Sequence, residues 1–448
     1  MAVNVTEIIE GARLNRFHLR VVVLCALLVA VDGFDLAAIS YAANDFVKYL
    51  GVSRALMGTV FSAGFVGLTL GAMTFGLVGD RWGTRRTFVL CSLVFGAFSL
   101  ATAAATSLTA LLAFRAIAGW GLGGATPLAV AISTDYCPRR LRVPLTMIMY
   151  ISLTLGNIVA ASTYGFISVF GWRTVFILGG VVPILLAPLY LWQMPERIEY
   201  LVMKRAPAAR IRAILARLAP GRDFSAETRF DVPAENKESF QLAQLFQDGR
   251  AAITTTLWIV FFTSLLSLYF FSSWLPALLA DYGLSKTQIV EIASSMSLGG
   301  IAGTLVTAPI VVGLGGFRTM SLGYLLGAVA IVILAKGGSS FAFLFVASLA
   351  VGFLLIAAQG VLNALCAALH PPAIRATAVG WGFGVGRCAA ILSPSLAGIL
   401  LALHWKATDL FLLAALPVLC AAAAGAVVMV LVRRRERQQA AQSAPLAA

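Results

Sequence analysis

Apolar runs about as long as a bilayer crossing recur along the whole chain, separated by short polar turns. Twelve fall at roughly 20–44, 56–79, 86–106, 109–134, 143–169, 174–194, 251–280, 287–312, 318–336, 340–369, 374–403 and 408–431. Each is predicted to be a helix, since a spanning helix needs about 20 mostly apolar residues. The longest polar stretch, 195–250, lies between the sixth and seventh runs and divides the chain six plus six. The expected fold is therefore all-α and polytopic. It has an N-terminal six-helix bundle over 1–194, a linker over 195–250, a C-terminal six-helix bundle over 251–432 and a tail over 433–448. Within the linker, Ala209–Leu218 puts Ile211, Ile214, Leu215 and Leu218 on one stripe, with Arg210, Arg212 and Arg217 among them. Such an amphipathic helix suits either the inner membrane surface or the cytoplasmic end of a bundle. The tail after Leu431 is polar and expected to be disordered beyond its basic anchor.

Composition removes the soluble alternatives. With 60% hydrophobic and only 12% charged residues, the chain does not have the balance of a water-soluble domain. The net charge of +14 raises nucleic acid as a partner, but the basic residues sit in short clusters between apolar runs, as cytoplasmic loops do. No nucleic-acid partner is expected. With the N-terminus inside, the inner segments hold 25 Lys and Arg and the outer segments 6. Both termini and the linker are thus predicted to be cytoplasmic. Arg13, Arg16 and Arg20 precede a first run too long for a cleavable signal, so that helix is expected to stay. Six scattered cysteines, without CxxC or metal-ligand spacing, predict free thiols, no metal and no cofactor. No nucleophile–base set or phosphate loop suggests an enzyme.

An internal repeat supports the division. Pro138-Arg-Arg-Leu-Arg142 and Pro371-Pro-Ala-Ile-Arg375 both read P-x-x-(Leu/Ile)-Arg, at an offset of 371 − 138 = 233. The same offset carries Gly83 onto Gly316 and Arg85 onto Arg318. Two loops in one register point to duplicated halves.

Charges inside spans mark the candidate chemistry. Asp32 and Asp35 lie in the middle of Val21–Ala43, three apart and on one helix face. A mid-bilayer charge costs on the order of 2.5–3.5 kcal/mol on insertion scales, so an anchor helix has no reason to carry two. Two adjacent carboxylates repel as anions, which favours uptake of a proton. The alternative is a structural pair satisfied by neighbouring helices. Arg115, in the fourth span, opens R-x-x-x-G-x-G-x-G-G; near the outer end of its span it can pack against neighbouring helices or snorkel to the interface. Arg387, in Gly380-Trp-Gly-Phe-Gly-Val-Gly-Arg387, needs an anion: a substrate carboxylate, a first-span aspartate in the empty state, or a structural partner. Gly79-Asp-Arg-Trp-Gly-Thr-Arg-Arg86, between the second and third spans, reads as a latch between helix ends or as a plain topogenic turn.

That loop, G-D-R-x-G-x-R-R, resembles the signature loop of the major facilitator superfamily, and the Arg115 stretch is similar to its fourth-span motif. Three further blocks resemble the aromatic acid:proton symporters of the superfamily. They are Asp32-Gly-Phe-Asp35, Ser264-Leu-Leu-Ser-Leu-Tyr-Phe-Phe-Ser-Ser-Trp274-Leu-Pro276, and Arg375-Ala-Thr-Ala-Val-Gly-Trp381-Gly-Phe-Gly-Val-Gly-Arg387. There are departures: the loop Val312–Arg318 lacks an acid, and His370 stands where an aromatic residue is expected. The fifth span, Leu155-Gly-Asn-Ile-Val, lacks the Gly-Pro pair of antiporters, which favours symport. The resemblance implies twelve helices in two six-helix bundles around a cavity that opens alternately to each side. It implies proton-coupled import of a small aromatic carboxylate, of the hydroxybenzoate or gentisate type, by a monomer in the cytoplasmic (inner) membrane. Asp32, Asp35 and Arg115 would couple protons. Arg387, Trp381, Asn363 and Gln359 would bind substrate. Asp80, Arg81, Gly83, Arg85 and Arg86 would form a conformational latch. Phe34, Tyr150, Asn157, Tyr164, Tyr269 and Trp274 are further ring and amide side chains that suit an aromatic ligand. The rival readings are a carrier of another organic anion, such as a dicarboxylate or sugar acid, and a non-transporting sensor on the same fold.

Overall fold

The computed structural model of the chain describes residues 2–10, 12, 15–137, 151–163, 170–204, 206–218, 229–231, 243–247, 249–370 and 375–443. Its helices are α1 (Val5–Glu10), α2 (Arg16–Leu50), α3 (Met57–Trp82), α4 (Thr84–Ala103), α5 (Leu108–Asp135), α6 (Ile151–Thr163), α7 (Arg173–Gln193), α8 (Ile198–Met203) and α9 (Ala208–Leu218). The second half holds α10 (Ala251–Leu279), α11 (Lys286–Leu314), α12 (Gly316–Ala335), α13 (Phe341–Leu369), α14 (Arg375–Ala402) and α15 (Ala407–Ser443). Eleven of these are long and apolar enough to cross a bilayer, and the described residues of α6, in fifth place, are apolar and helical. The chain is a multi-pass membrane protein.

Local chemistry explains the ends. Asn15 accepts from the Phe17 and His18 amides and forms a capping box that starts α2; Gly51, at φ 63°, stops it in the left-handed conformation. Ser285 and Gln288 form the corresponding box at the start of α11. Helix α15 runs on through Arg433, Arg434, Arg435 and Arg437 to Ser443, so the tail is helical well past Leu431. Its Arg, Gln, Glu and Ala residues are good helix formers and extend a helix already nucleated in the span.

The chain forms two compact units, one of residues 1–52 and 63–237, the other of 53–62 and 238–448. In the first, Ile211, Leu215 and Leu218 of α9 are buried in the same apolar cluster as Tyr136, Met194, Ile198 and Leu201. Of the two sites open to this amphipathic helix, it takes the end of the bundle. Asn15 ties it there by donating to the Arg217 and Leu218 carbonyls at 2.9 and 3.1 Å. A three-residue parallel ladder, β1 (Ala2–Asn4) with β2 (Arg229–Asp231), adds a small strand pair to the all-helical expectation.

The duplication is visible in backbone geometry, with one change of register. Helices α4 and α12 are both 20 residues long, and each follows a glycine of positive φ, Gly83 (95°) and Gly315 (82°). Their offset is 315 − 83 = 232, not 233. Gly316 beside Gly315 made the alignment by residue type ambiguous; only Gly315 holds the strained conformation. Pro138–Arg142 lies outside the described residues, as do Pro371–Ile374 of its partner.

Candidate functional site

Helix α2 brings both acids into the protein interior: Asp32 and Asp35 are 5% and 4% exposed. Each is met by a different side chain of α5. Asp35 is held by Arg115 of α5, with Nη1 donating to Oδ1 at 2.7 Å and Nη2 to Oδ2 at 2.6 Å. Asp32 accepts from Thr126 Oγ1 of the same helix at 2.8 Å. Arg115 is only 3% exposed, which overturns the snorkelling alternative for it. Its guanidinium also lies 5.9 Å from the centre of the buried Phe176 ring and 3.7 Å from where a Cβ on Gly64 would stand. A planar fork closed on a carboxylate is the strongest ion-pair geometry available to these side chains. Burial keeps the pair sensitive to a single proton: removing one charge of a buried pair typically costs about 3–5 kcal/mol, because the other is left uncompensated.

Close packing fixes this site from behind. A Cβ on Gly33, between the two acids, would fall on the Leu153 carbonyl of α6, and one on Gly156 would fall on the Ala30 carbonyl of α2. The two helices touch backbone to backbone at the level of the acids. Beside this crossing, the Asn157 side-chain oxygen is buried without a hydrogen-bond partner among the described residues. Tyr150 and Tyr164 lie outside the described residues.

The proposed substrate residues all belong to the second unit. Gln359 and Asn363, one turn apart on α13, are hydrogen-bonded through Nε2 and Oδ1 at 3.3 Å. Trp381 of α14 is 37% exposed and stacks on Trp258 of α10, at 5.9 Å and 23°. Arg387 is half-buried on the same helix. The sequence left Arg387 as a possible partner of a first-span aspartate; the guanidinium that Asp35 meets is Arg115. Trp274 is fully buried, donates to the Pro394 carbonyl at 3.2 Å and packs edge-on against Phe61, so it belongs to the core. His370 caps the end of α13, its Nδ1 2.8 Å from the Cys366 carbonyl.

In the 79–86 loop, Gly83 makes the turn and α4 starts without a side-chain cap of its own. Glu196, from the segment after α7, puts an acid at this helix start: its Oε1 accepts from the Arg85 amide at 3.1 Å, while the Asp80 side chain lies outside the described residues. Tyr136 donates to the Glu196 carbonyl, and Arg197 pairs with Asp135 at the end of α5. Tyr200 donates to the Arg81 carbonyl at 3.3 Å. Three helix ends are thus tied at one corner. A carboxylate at a helix N-terminus is favoured by the backbone dipole and by the unsatisfied amides. The sequence reading missed Glu196; the signal was the charged Pro195-Glu196-Arg197 directly after an apolar run.

Comparison with known proteins agrees with this architecture. The family described as Major Facilitator Superfamily matches residues 25–312 and 257–447. The chain is 34% identical to the gallate transporter of Pseudomonas putida, over 94% of this chain and 93% of the relative. It is 32% identical to the 4-hydroxybenzoate transporter PcaK of Pseudomonas aeruginosa, over 92% and 93% of the two chains. Among solved structures, the inward-open xylose transporter XylE from E. coli aligns with a TM-score of 0.71 at 16% identity, covering 90% of this chain and 94% of that one.

Proposed function

The chain belongs to the major facilitator superfamily, so it is a transporter and not an enzyme, and we propose that it imports small aromatic carboxylates together with protons by alternating access. Gallate and 4-hydroxybenzoate, the cargoes named for the relatives, support an aromatic acid as the substrate class. The observation that carries the proton clause is the buried Asp35–Arg115 fork.

Protonation of Asp35 from the outer side opens the fork and leaves Arg115 charged in the interior. An anion then becomes favourable in the binding region, and the substrate carboxylate supplies it, with Arg387 as its anchor and Trp381 as a ring to stack on. When the proton leaves towards the more alkaline interior, Asp35 closes on Arg115 again and the anion loses its advantage. One proton taken with one monoanion leaves the net charge of the carrier unchanged. That matters because each uncompensated charge moved through the membrane potential is worth about 2.3 kcal/mol per 100 mV. Asp80, Arg81, Gly83, Arg85 and Arg86, with Glu196, set the balance between conformations without touching substrate. Both termini face the cytoplasm, and the inner membrane is the site of action.

Uptake of labelled 4-hydroxybenzoate and gentisate into proteoliposomes, with and without an inward proton gradient, tests the proposal. Gradient-driven uptake, competed by other aromatic acids and not by dicarboxylates or sugar acids, is expected. Competition only by aliphatic acids would replace the substrate class; stable binding without uptake would indicate a sensor.

A further inference from the structure

The second unit holds a buried chain of hydrogen bonds with a fixed direction. Gln359 of α13 is 8% exposed, and its Oε1 accepts from two hydroxyls, Ser264 Oγ of α10 at 2.8 Å and Tyr324 Oη of α12 at 3.1 Å. Its Nε2 donates to Asn363 Oδ1 at 3.3 Å. Tyr324 is fully buried, so its phenol has to spend its one proton inside the protein. The Ser264 hydroxyl also lies 3.3 Å from the Phe261 carbonyl, a longer contact than the one to Gln359.

These contacts favour one orientation of each amide, with the Gln359 oxygen towards the two hydroxyls. Turning the Gln359 amide over would set its N–H groups against two hydroxyl oxygens and leave the Tyr324 proton to the Ser264 hydroxyl beside it, with Ser264 reduced to its longer contact with the Phe261 carbonyl. With Oε1 saturated by hydroxyl donors, Gln359 turns its nitrogen to Asn363. The Asn363 oxygen is then occupied, and both of its amide protons remain for a further acceptor. Asn363 is half-buried, so these protons are not sealed in the core. Each bond in such a chain polarises the next, and the donor at its end is strengthened.

We propose that Tyr324 and Ser264 are positioning residues that orient this relay, and that Asn363 at its end donates to the carboxylate of the transported acid. The inference rests on the aromatic-carboxylate reading above and assigns a recognition role within it. Ser264 and Tyr324 never touch the substrate; they prevent Gln359 and Asn363 from turning their oxygens towards an anion.

Kinetics of 4-hydroxybenzoate uptake in proteoliposomes, with benzoate as a competitor, test this. Tyr324→Phe removes one orienting proton. We expect KM to rise about tenfold, the worth of a hydrogen bond to a charged group, while maximal velocity stays within about twofold of wild type. Ser264→Ala weakens binding in the same sense, and Ser264→Thr, which keeps the hydroxyl, restores it. Asn363→Asp turns the final donor into an acceptor and abolishes anion uptake while the protein stays folded. If Tyr324→Phe does not fold, the two Ser264 variants and Asn363→Asp carry the test. The inhibition constant of benzoate should weaken in parallel, because the carboxylate is shared. An unchanged KM in folded Tyr324→Phe and Ser264→Ala would overturn the relay. A loss confined to 4-hydroxybenzoate, with benzoate unaffected, would overturn the carboxylate assignment. Wild-type protein that takes up no aromatic acid would overturn the underlying reading and this role with it.

Discussion

Arg115 closes on Asp35 with both terminal nitrogens, one on each carboxylate oxygen, at 2.7 and 2.6 Å. Two charges from different helices are thus buried as one neutral unit in the middle of a membrane-spanning bundle. Replacing either partner alone leaves a buried charge and should lower thermal stability in detergent, by an amount equivalent to about 3–5 kcal/mol. The double variant Asp35→Asn/Arg115→Gln should recover most of that loss and still fail in proton-driven uptake. A double variant no more stable than the singles would show that the pair is not an isolated charge unit.

Arg115→Lys keeps the charge and removes the fork. An ammonium cannot bind both carboxylate oxygens in plane. Gradient-driven uptake should fall about tenfold or more, with the protein folded, since a charge-assisted hydrogen bond is worth about 1.5–3 kcal/mol. Full activity in Arg115→Lys would mean that charge alone suffices.

Glu196 sits at the start of α4 with its carboxylate on the Arg85 amide. Glu196→Gln removes the charge and keeps the shape, so stability should drop by roughly 0.3–1 kcal/mol, the range for a charge at a helix end. The rate of uptake should change while the order of substrate preference stays the same. Asp80→Asn should likewise alter the rate more than the order of preference. A changed preference with a normal rate in either variant would move that residue from the latch to the binding site.

His370 ends α13 against Thr254, whose Oγ1 is 3.4 Å from its Nε2. Burial pushes its pKa down, the Cys366 carbonyl opposes this, and the nearby Arg250 and Arg435 charges add to the lowering. A histidine whose folded-state pKa is depressed is kept neutral by the fold, so the unfolded chain binds the proton first. Its contribution to stability is complete above the ordinary value of about 6.5 and is lost as pH falls below it. Melting temperature should therefore decline from neutral pH towards pH 5, and His370→Gln should flatten that decline. An equal slope in wild type and variant would clear His370 of the effect.

The spans and the buried acids were legible because both are strong one-dimensional signals: hydropathy along the chain, and charge where hydropathy forbids it. The partner of Asp35 was not, since it depends on how α2 packs on α5, 80 residues apart. The sequence offered Arg387, not Arg115, as a partner for a first-span aspartate; the packing of α2 on α5 puts Arg115 on Asp35. Gln359 and Asn363 were legible as amides in an apolar helix, but Ser264 and Tyr324 look like ordinary helix residues until three helices bring them together. Glu196 stands 111 residues from the amide it holds, and no local pattern links them. The register of the repeat failed at two adjacent glycines, where residue type cannot say which one carries the positive φ.

The central claim is that Asp35 carries a proton together with the substrate. The most direct measurement follows the pH inside proteoliposomes, with a trapped dye, when 4-hydroxybenzoate is added outside under a matched initial pH. Wild-type vesicles should acidify faster than protein-free vesicles, which report passive entry of the acid, and Asp35→Asn vesicles should match the protein-free rate. Acidification by Asp35→Asn at the wild-type rate would contradict the account.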